Sequence, residues 1–310
     1  MPFRFKIFFF VFLFFFLIFF NLLMGPVSLF KDTLALKVFF EIRLPRVFAA
    51  ILVGIALPVS GLSLQTMFRN PLAGPSVLGI SSGASLGVAF FLLSGLNLGF
   101  LGVFPAAAIG AFGVSFLLLL FNRFFESPVV LLIIGLMLSS IVNAFVNLLM
   151  FFSHSESLKA YVAWGMGSFS KLLISEVPLF LSLVLLGFLF VLFSIRYLNS
   201  IYFGSDFVQS LGLSNRFYQS MVLIGVSILT ASTTVFCGPI AFLGLAVPHI
   251  AYAVFKSTNH RVLLPASILI GVNLSLLVSL FPQIPLNAVM SLLGVPVVFI
   301  VLFRSSQTIR

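Results

Sequence analysis

The chain alternates long apolar runs with short breaks that are polar or rich in proline and glycine. A hydrocarbon core about 30 Å thick requires roughly 20 apolar residues in each helix that crosses it. The pattern therefore predicts an all-α polytopic membrane protein with about ten transmembrane helices. The predicted spans lie near 7–24, 47–67, 77–94, 99–121, 129–152, 178–195, 219–237, 240–255, 262–281 and 286–303.

Composition supports this class of protein, because 61% of the 310 residues are hydrophobic and only 7% are charged. No polar segment is long enough to bury a core of its own, so residues 1–310 are predicted to form one transmembrane domain. The net charge of +10 comes from scattered cationic residues, which disfavours a nucleic-acid partner. Most of these residues share one side when both termini are cytoplasmic, as the positive-inside rule favours.

The interiors of the predicted spans contain no Asp, Glu, Lys or Arg. Ion-driven carriers usually keep such groups in the membrane as relays, and His249 is the one ionisable residue here other than Tyr or Cys that falls within a span. Energy for transport is therefore expected to come from another protein. The alternative is a stand-alone secondary carrier or channel, although no filter-like repeat or ring of charge occurs. An enzyme is disfavoured, because the chain has no HExxH motif and no phosphate-binding loop.

The stretch FRNPLAGPSVLGISSGASLG (68–87) interrupts this apolar pattern. Pro71 and Pro75 cannot continue a helix, so a compact turn is predicted after the second span, with the Asn70 side chain binding turn amides. The third span then carries a surface of small residues. This surface predicts either close helix packing or a weakly polar lining where helices part.

The longest polar segment on the cytoplasmic side, residues 196–220, is predicted to form two short helices. Asp206 is expected to cap the first helix, with Gln209 completing a capping box. Gly212 is the expected left-handed stop, and Ser214 is expected to cap the second helix. Such an elbow suits the transmission of movement from a partner, although an ordinary amphipathic connector would show the same pattern.

Arg43 and Arg46 lie at the outer edge of the second span, against the positive-inside bias. At positions i and i+3 they can share one helix face. They are predicted either to meet carboxylates of an incoming protein or to reach lipid headgroups.

The chain resembles the FecCD-type permeases, the membrane subunits of ABC importers for iron-siderophore, haem and cobalamin. The resemblance rests on these stretches in order: RLPRVFAAILVGIALPVSGLSLQTMFRNPLAGPSVLGISSGASLG (43–87), WGMGSFS (164–170), FGSDFVQSLGLSNRFYQ (203–219), GPIAFLGLAVPHIAY (238–252), HRVLLPASILIG (260–271) and LLGVPVVFIVLFR (292–304).

The resemblance implies a type II ABC importer fold similar to that of the cobalamin permease. The permease would dimerise with a second copy of itself or a paralogous permease in the cytoplasmic (inner) membrane. It would receive substrate from a periplasmic or lipid-anchored binding protein. Two cytoplasmic ATPase subunits would use ATP and Mg, and the permease itself would be no enzyme and bind no cofactor. Iron chelates come first among the implied substrates, ahead of haem, cobalamin and oxyanions such as molybdate.

The resemblance also implies roles for particular residues. The ATPase-coupling loop carries Asp206, Gln209, Leu211, Gly212, Leu213, Ser214, Arg216 and Phe217. Binding-protein docking falls on Arg43 and Arg46. The translocation path and gate fall on Ser81, Ser82, Gly83, Ser85, Glu126 and Ser127. Structural positions of the family motifs are Asn70, Pro71, Gly79, Gly244, Pro248 and His249.

The stretch LLVSLFPQIPLNAV (276–289) departs from the family pattern. Ser279 stands where the family carries an Asp, Gln283 replaces a Glu and Asn287 replaces a Gly. A third docking arginine is also absent. The departure puts the hold on the binding protein at this edge in doubt but leaves the fold intact.

Overall fold

The computed structural model describes residues 3–23, 33–94, 102–125 and 127–307, and all regular structure within these ranges is helical. The α-helices are α1 (Phe3–Leu23), α2 (Thr33–Val38), α3 (Leu44–Met67), α4 (Ile80–Leu93), α5 (Val103–Phe124), α6 (Pro128–Phe152), α7 (Ser155–Gly165), α8 (Val177–Phe193), α9 (Ile195–Ser200), α10 (Ser205–Ser210), α11 (Asn215–Cys237), α12 (Leu243–Phe255), α13 (His260–Ser279) and α14 (Leu286–Gln307). A π-helical turn at Phe39–Arg43 joins α2 to α3, and 3-10 turns occur at Pro75–Leu78, Phe169–Lys171, Ile174–Glu176 and Ile201–Phe203.

The prediction of about ten transmembrane helices is confirmed. Within the described ranges, seven helical stretches are long and apolar enough to cross a bilayer: α1, Leu36–Met67, α5, α6, Ile174–Phe193, α11 and α13. Three shorter apolar helices, α4, α12 and Leu286–Val297 of α14, bring the total in these ranges to ten.

Nine of the ten predicted spans begin one to four residues away from the observed helix starts, and three of them illustrate the cause. The third begins at Ile80 rather than 77, because a 3-10 turn ends at Gly79 in the left-handed conformation (φ 77°). The eighth begins at Leu243 rather than 240, after Phe242 at φ 63°. The seventh begins earlier, at Asn215. Local turns thus set the helix ends, which hydrophobicity alone does not mark.

The core of the fold is built around α3, which packs against α13 and α11. Of the most apolar 18 residues in the stretch Leu36–Met67, which contains α3, 83% are buried. The corresponding fractions are 72% for α11, 67% for α13 and only 11% for α1. Helix α1 packs mainly along α13, and the phenylalanines on its other side are exposed, as for Phe8 and Phe12. A lipid-facing role explains such exposure in a helix of this composition.

Two of the three residues that depart from the family pattern, Ser279 and Asn287, are part of this packing. Buried Ser279 donates a hydrogen bond to Asn21 Oδ1 (2.6 Å), and Asn21 Nδ2 donates to Leu276 O (2.9 Å), which ties α1 to α13. Asn287 Oδ1 accepts a hydrogen bond from Ala241 N (2.9 Å) and so joins α14 to the segment before α12. Both substituted positions therefore serve helix packing in this chain.

Candidate coupling and transport sites

Residues 196–220, here named the coupling segment, form an elbow that ends in a Schellman motif. Gly212 adopts φ 74°, its N–H donates to Gln209 O (2.9 Å), and Leu213 N donates to Val208 O (3.2 Å). These are the two bonds of that motif after α10. Gly212 is therefore the left-handed stop predicted from the sequence. An added Cβ would meet nothing within 4 Å, so the backbone angle alone restricts this position.

Two predictions for the coupling segment are wrong. Asp206 does not cap α10, because Gly204 occupies the N-cap and Asp206 lies in the first turn, where its Oδ1 accepts from Ser205 Oγ (3.2 Å). The second short helix is in fact the start of α11. Ser214 does cap it, accepting from Phe217 N (3.4 Å). The elbow is therefore continuous with the seventh span.

The elbow presents an exposed apolar surface. Phe203, Phe207, Leu211 and Phe217, here named the coupling patch, are 75%, 42%, 53% and 53% exposed, whereas Val208 between them is fully buried and anchors α10. The rings of Phe203 and Phe207 lie 5.1 Å apart. Exposed apolar patches with a polar rim mark interaction sites. Leu211 and Phe217 are among the coupling residues that the resemblance implies. Phe203 and Phe207 lie in the same predicted segment but were not singled out, although apolar residues in a polar segment are a usable signal.

A buried hydrogen-bond network joins the coupling segment to α3 and α13. His260 Nδ1 and the His260 backbone N both contact Asn199 Oδ1 (2.8 and 2.9 Å), and His260 Nε2 contacts Thr66 Oγ1 (2.9 Å). Because an amide oxygen only accepts, the proton resides on Nδ1, and Thr66 donates to Nε2. The Tyr202 hydroxyl lies 3.3 Å from Thr66 Oγ1. No local sequence pattern predicts this network.

Aromatic stacking fixes the two ends of the coupling segment to each other. The rings of Tyr197 in α9 and Tyr218 in α11 stack at 5.7 Å with an interplanar angle of 9°. Burial raises the pKa of the Tyr197 phenol to about 12. The two ends of the coupling segment are therefore packed against each other where it joins the helical bundle.

The NPLAGP turn is held as the sequence predicts. Asn70 Oδ1 accepts from Leu72 N (2.9 Å), and Gly74 is extended before the 3-10 turn. His249 Nε2 donates to Pro71 O (2.8 Å), which fixes the turn to α12. Gly79 has no room for a side chain, since a Cβ would lie 2.8 Å from Ser139 Oγ.

The other two motif residues, Gly244 and Pro248, lie where α12 crosses α3. A Cβ on Gly244 would lie 2.8 Å from Leu57 O. Pro248 interrupts the hydrogen bonding of α12, and Gln65 Nε2 donates to Leu245 O (3.0 Å) from α3. The missing side chain of Gly244 thus permits the close crossing of α12 and α3, and the hydrogen bond from Gln65 stabilises it.

The small residues of α4 face different neighbours rather than one path. Ser81 Oγ contacts Thr234 Oγ1 of α11 (3.2 Å), and Ser85 contacts the Tyr161 hydroxyl of α7. Gly83 is buried against α5, where a Cβ would lie 2.4 Å from Gly110 O. Close packing is thus the correct interpretation for Gly83, and its assignment to the path is wrong.

The remaining gate residues give no common site. Ser82 is half-buried, and Ser127 is the exposed N-cap residue of α6 without a side-chain cap bond. Glu126 lies outside the described residues.

A polar face on α6 was missed by sequence reasoning. Ser140, Asn143 and Asn147 follow an i, i+3, i+7 spacing and are exposed within a 25-residue apolar helix. Ser140 Oγ donates to Leu136 O (3.0 Å), whereas the two asparagine amides have no hydrogen-bond partner in the described chain. Unpaired amides facing hydrocarbon cost several kcal/mol. This face is therefore expected to meet protein or water.

The two arginines of the predicted pair have different environments in the structure. Arg43 is only 3% exposed, and its Nη1 donates to Leu22 O and Leu23 O (2.8 and 3.0 Å), so it secures the end of α1. Arg46 is half-buried, and its Nε donates to Ser170 Oγ (3.0 Å). The Arg43 guanidinium is thus committed to main-chain carbonyls, which disfavours a docking role for it, whereas docking at Arg46 stays a prediction.

Ten apolar helices around a buried core, a projecting elbow with an apolar tip and a polar face inside one span define a multi-pass membrane transport subunit. The chain belongs to the FecCD transport family, whose profile matches residues 6–304.

Comparison with curated proteins supports this assignment. The chain is 35% identical over 289 residues to the uncharacterized ABC transporter permease protein YvrB of Bacillus subtilis, covering 89% of this chain and 81% of the relative. It is 32% identical to the molybdate import system permease protein MolB of Haemophilus influenzae (88% and 83% covered). It is 34% identical to the vitamin B12 import system permease protein BtuC of Klebsiella pneumoniae (86% and 82% covered).

Solved structures agree. An inward-facing structure described as a metal-chelate type ABC transporter superposes with a TM-score of 0.88 at 29% identity, covering 97% of this chain and all of that one. PsaBC from Streptococcus pneumoniae shares the fold, with a TM-score of 0.55 at 16% identity and coverage of 83% and 90%. The chain is thus an ABC importer permease, which excludes the stand-alone carrier or channel.

Proposed function

We propose that this permease carries an iron-siderophore-type metal chelate across the cytoplasmic membrane, driven by ATP hydrolysis in a partner subunit. The metal-chelate description of the neighbour with a TM-score of 0.88 carries the choice of substrate class. The relatives that import molybdate and vitamin B12 make these the competing substrates.

The coupling patch supports docking of an ATPase at the elbow. Two copies of the permease would each present one elbow to one of two ATPase subunits, which bind ATP and Mg. The apolar side chains would fill a groove, and α10 would transmit its movement through Val208 and through the Thr66–His260–Asn199 network. Both termini and the elbow then lie in the cytoplasm, and Arg46 lies on the opposite side, where a substrate-binding protein delivers the chelate.

The polar face of α6 supports a path between two permease copies. Ser140, Asn143 and Asn147 would line one side of this path. The other side would be formed by a second permease subunit, which is either another copy of this chain or a paralogous permease. Amides and a hydroxyl offer only weak hydrogen bonds to a passing ligand. Substrate choice then rests with the binding protein, and the permease supplies a smooth route.

Reconstitution tests the substrate. The permease, its ATPase and its binding protein are placed in proteoliposomes with ATP inside, and ferric siderophore, cobalamin and molybdate are supplied separately and in competition. ATP-dependent accumulation of the ferric chelate, uncompeted by the other two, supports the proposal. Accumulation of molybdate or cobalamin alone contradicts the substrate class and leaves the importer assignment in place.

A further inference from the structure

A cavity of about 330 Å³ lies between α3, α12 and α13, at the end of the bundle that carries the coupling segment. Leu62 and Leu263 form apolar walls, whereas Arg69, His249, Tyr202 and Tyr252 provide polar groups. Pockets of this size accept small organic ligands. The mixture of one cation, hydrogen-bonding groups and apolar walls fits an anionic amphiphile.

Arg69 is the cation of this cavity, and no acidic side chain of the described residues pairs with it. Its side chain is exposed, and no carboxylate or other acceptor among the described residues binds its guanidinium. Its backbone adopts φ 48°, a conformation uncommon outside glycine that persists where the surrounding structure requires it. The turn thus holds a free guanidinium at the cavity, and this group binds phosphate in a bidentate manner.

Two further groups of the cavity are available to a ligand. His249 Nε2 donates to Pro71 O (2.8 Å), which leaves Nδ1 without a partner in the described chain. The hydroxyl of Tyr252, a residue 54% exposed, likewise makes no hydrogen bond there. Their positions beside Arg69 complete a polar rim above the apolar walls.

We propose that this cavity binds a phosphate-bearing anion, either the headgroup of an acidic lipid or a soluble phosphate ester. Basic pockets between transmembrane helices on the cytoplasmic side recognise acidic lipid headgroups in this way. Lys6, whose Nζ donates to Val254 O (2.6 Å), and exposed Lys256 and Arg261 lie at the same end of α1, α12 and α13. Their charges attract anions to this end of the bundle.

Occupancy of the cavity is expected to influence coupling. Thr66 and Tyr202 line the cavity and also belong to the hydrogen-bond network around His260. A bound anion would therefore brace the junction of α3, α13 and the coupling segment. This consequence rests on the proposed coupling role, whereas binding itself does not.

The binding test uses the purified complex of permease and ATPase. Native mass spectrometry counts phosphatidylglycerol retained by the wild type, Arg69→Asn and Tyr252→Phe, with Arg261→Asn as the control for loss of a nearby charge. Asn suits the positive φ at position 69. Loss of the guanidinium at position 69 is expected to weaken binding roughly tenfold. Tyr252→Phe should cause a smaller loss, and Arg261→Asn, which removes only a long-range charge, should cause the smallest.

A second arm separates the two sources of phosphate. In phosphatidylcholine nanodiscs, glycerol 3-phosphate is titrated while ATPase activity is followed; a saturable change that Arg69→Asn removes identifies a soluble ligand, whereas dependence on phosphatidylglycerol alone identifies the lipid. Equal anion binding by wild type and Arg69→Asn overturns the proposal. Release of the ATPase from Arg69→Asn without any dependence on lipid or phosphate also overturns it, because Arg69 would then pair with the ATPase.

Discussion

The Thr66 hydroxyl donates a hydrogen bond to His260 Nε2 across 2.9 Å, joining the last turn of α3 to the first residue of α13. The two residues are 194 positions apart. The same imidazole reaches Asn199 on its other side (2.8 Å). One buried ring thus holds two central helices and the coupling segment in a single arrangement.

Removal of this contact should uncouple the transporter. In Thr66→Val the Nε2 atom of His260 is buried without a donor, which destabilises the fold by about 1–3 kcal/mol. We expect ATPase activity to persist while uptake per ATP hydrolysed falls severalfold, because α3 no longer follows the coupling segment. Reconstituted vesicles with paired uptake and phosphate-release assays measure this ratio.

Ser63→Ala is the matched control for Thr66→Val. Ser63 is buried in the same helix, but its Oγ donates only to Val59 O one turn earlier (2.7 Å). It should lose little stability and keep its uptake ratio. Equal ratios in Thr66→Val and Ser63→Ala would show that the network only stabilises the fold.

The Gly212 elbow makes a second prediction, which depends on backbone angle rather than on space. A β-branched residue at φ 74° is strained by about 1–2 kcal/mol, so Gly212→Val should displace α10 and uncouple hydrolysis from uptake. Asn tolerates the left-handed region, and Gly212→Asn should retain most activity. Membrane insertion of both is checked by yield and thermal unfolding. Normal transport by Gly212→Val would show that the stop has no mechanical role.

The coupling patch makes a third prediction about the ATPase. Burial of a Phe side chain contributes about 1.5–3 kcal/mol, so Phe207→Ser should weaken association with the ATPase by about tenfold or more. Copurification and titration of the ATPase on nanodisc-bound permease measure this change. Phe281→Ser, which alters an exposed Phe after α13 (55% exposed, against 42% for Phe207), is the control. Unchanged ATPase affinity in Phe207→Ser would remove the patch from the interface.

Sequence and structure agree where a single residue or a long apolar run decides the outcome. The ten spans follow from composition, and Gly212 and Ser214 follow from well-defined end signals. The cap predicted at Asp206 is wrong, because α10 begins at Ser205, two residues earlier than an N-cap at Asp206 requires. The Thr66–His260 contact joins distant positions, and no local pattern reports it. The polar face of α6 could have been predicted, since the i, i+3, i+7 spacing of its polar residues is visible in the sequence.

Substitutions of Arg46 and Arg43, at the outer edge of the second span, should have different effects. Arg46→Glu should slow association of the binding protein and reverse its salt dependence, because exposed charges at an interface mainly set the association rate. Association rates at several ionic strengths measure this, with Arg123→Glu at the opposite end of the bundle as the control. Arg43→Glu should instead lower yield and thermal stability, because it removes the donor to Leu22 O and Leu23 O. Equal association rates for wild type and Arg46→Glu would contradict a docking role.

The polar face of α6 makes the last prediction. If Asn143 and Asn147 line the path, Asn143→Leu should slow uptake severalfold while binding of the ATPase and the binding protein stays unchanged, because a branched apolar side chain narrows the path and removes its amide. If they face lipid instead, the same change should stabilise the protein, since it removes an unpaired amide from hydrocarbon. Uptake and thermal unfolding measured together separate the two cases. Ser182→Leu on α8, where Ser182 is exposed and donates only to Leu179 O (2.8 Å), is the control, and its uptake should match the wild type.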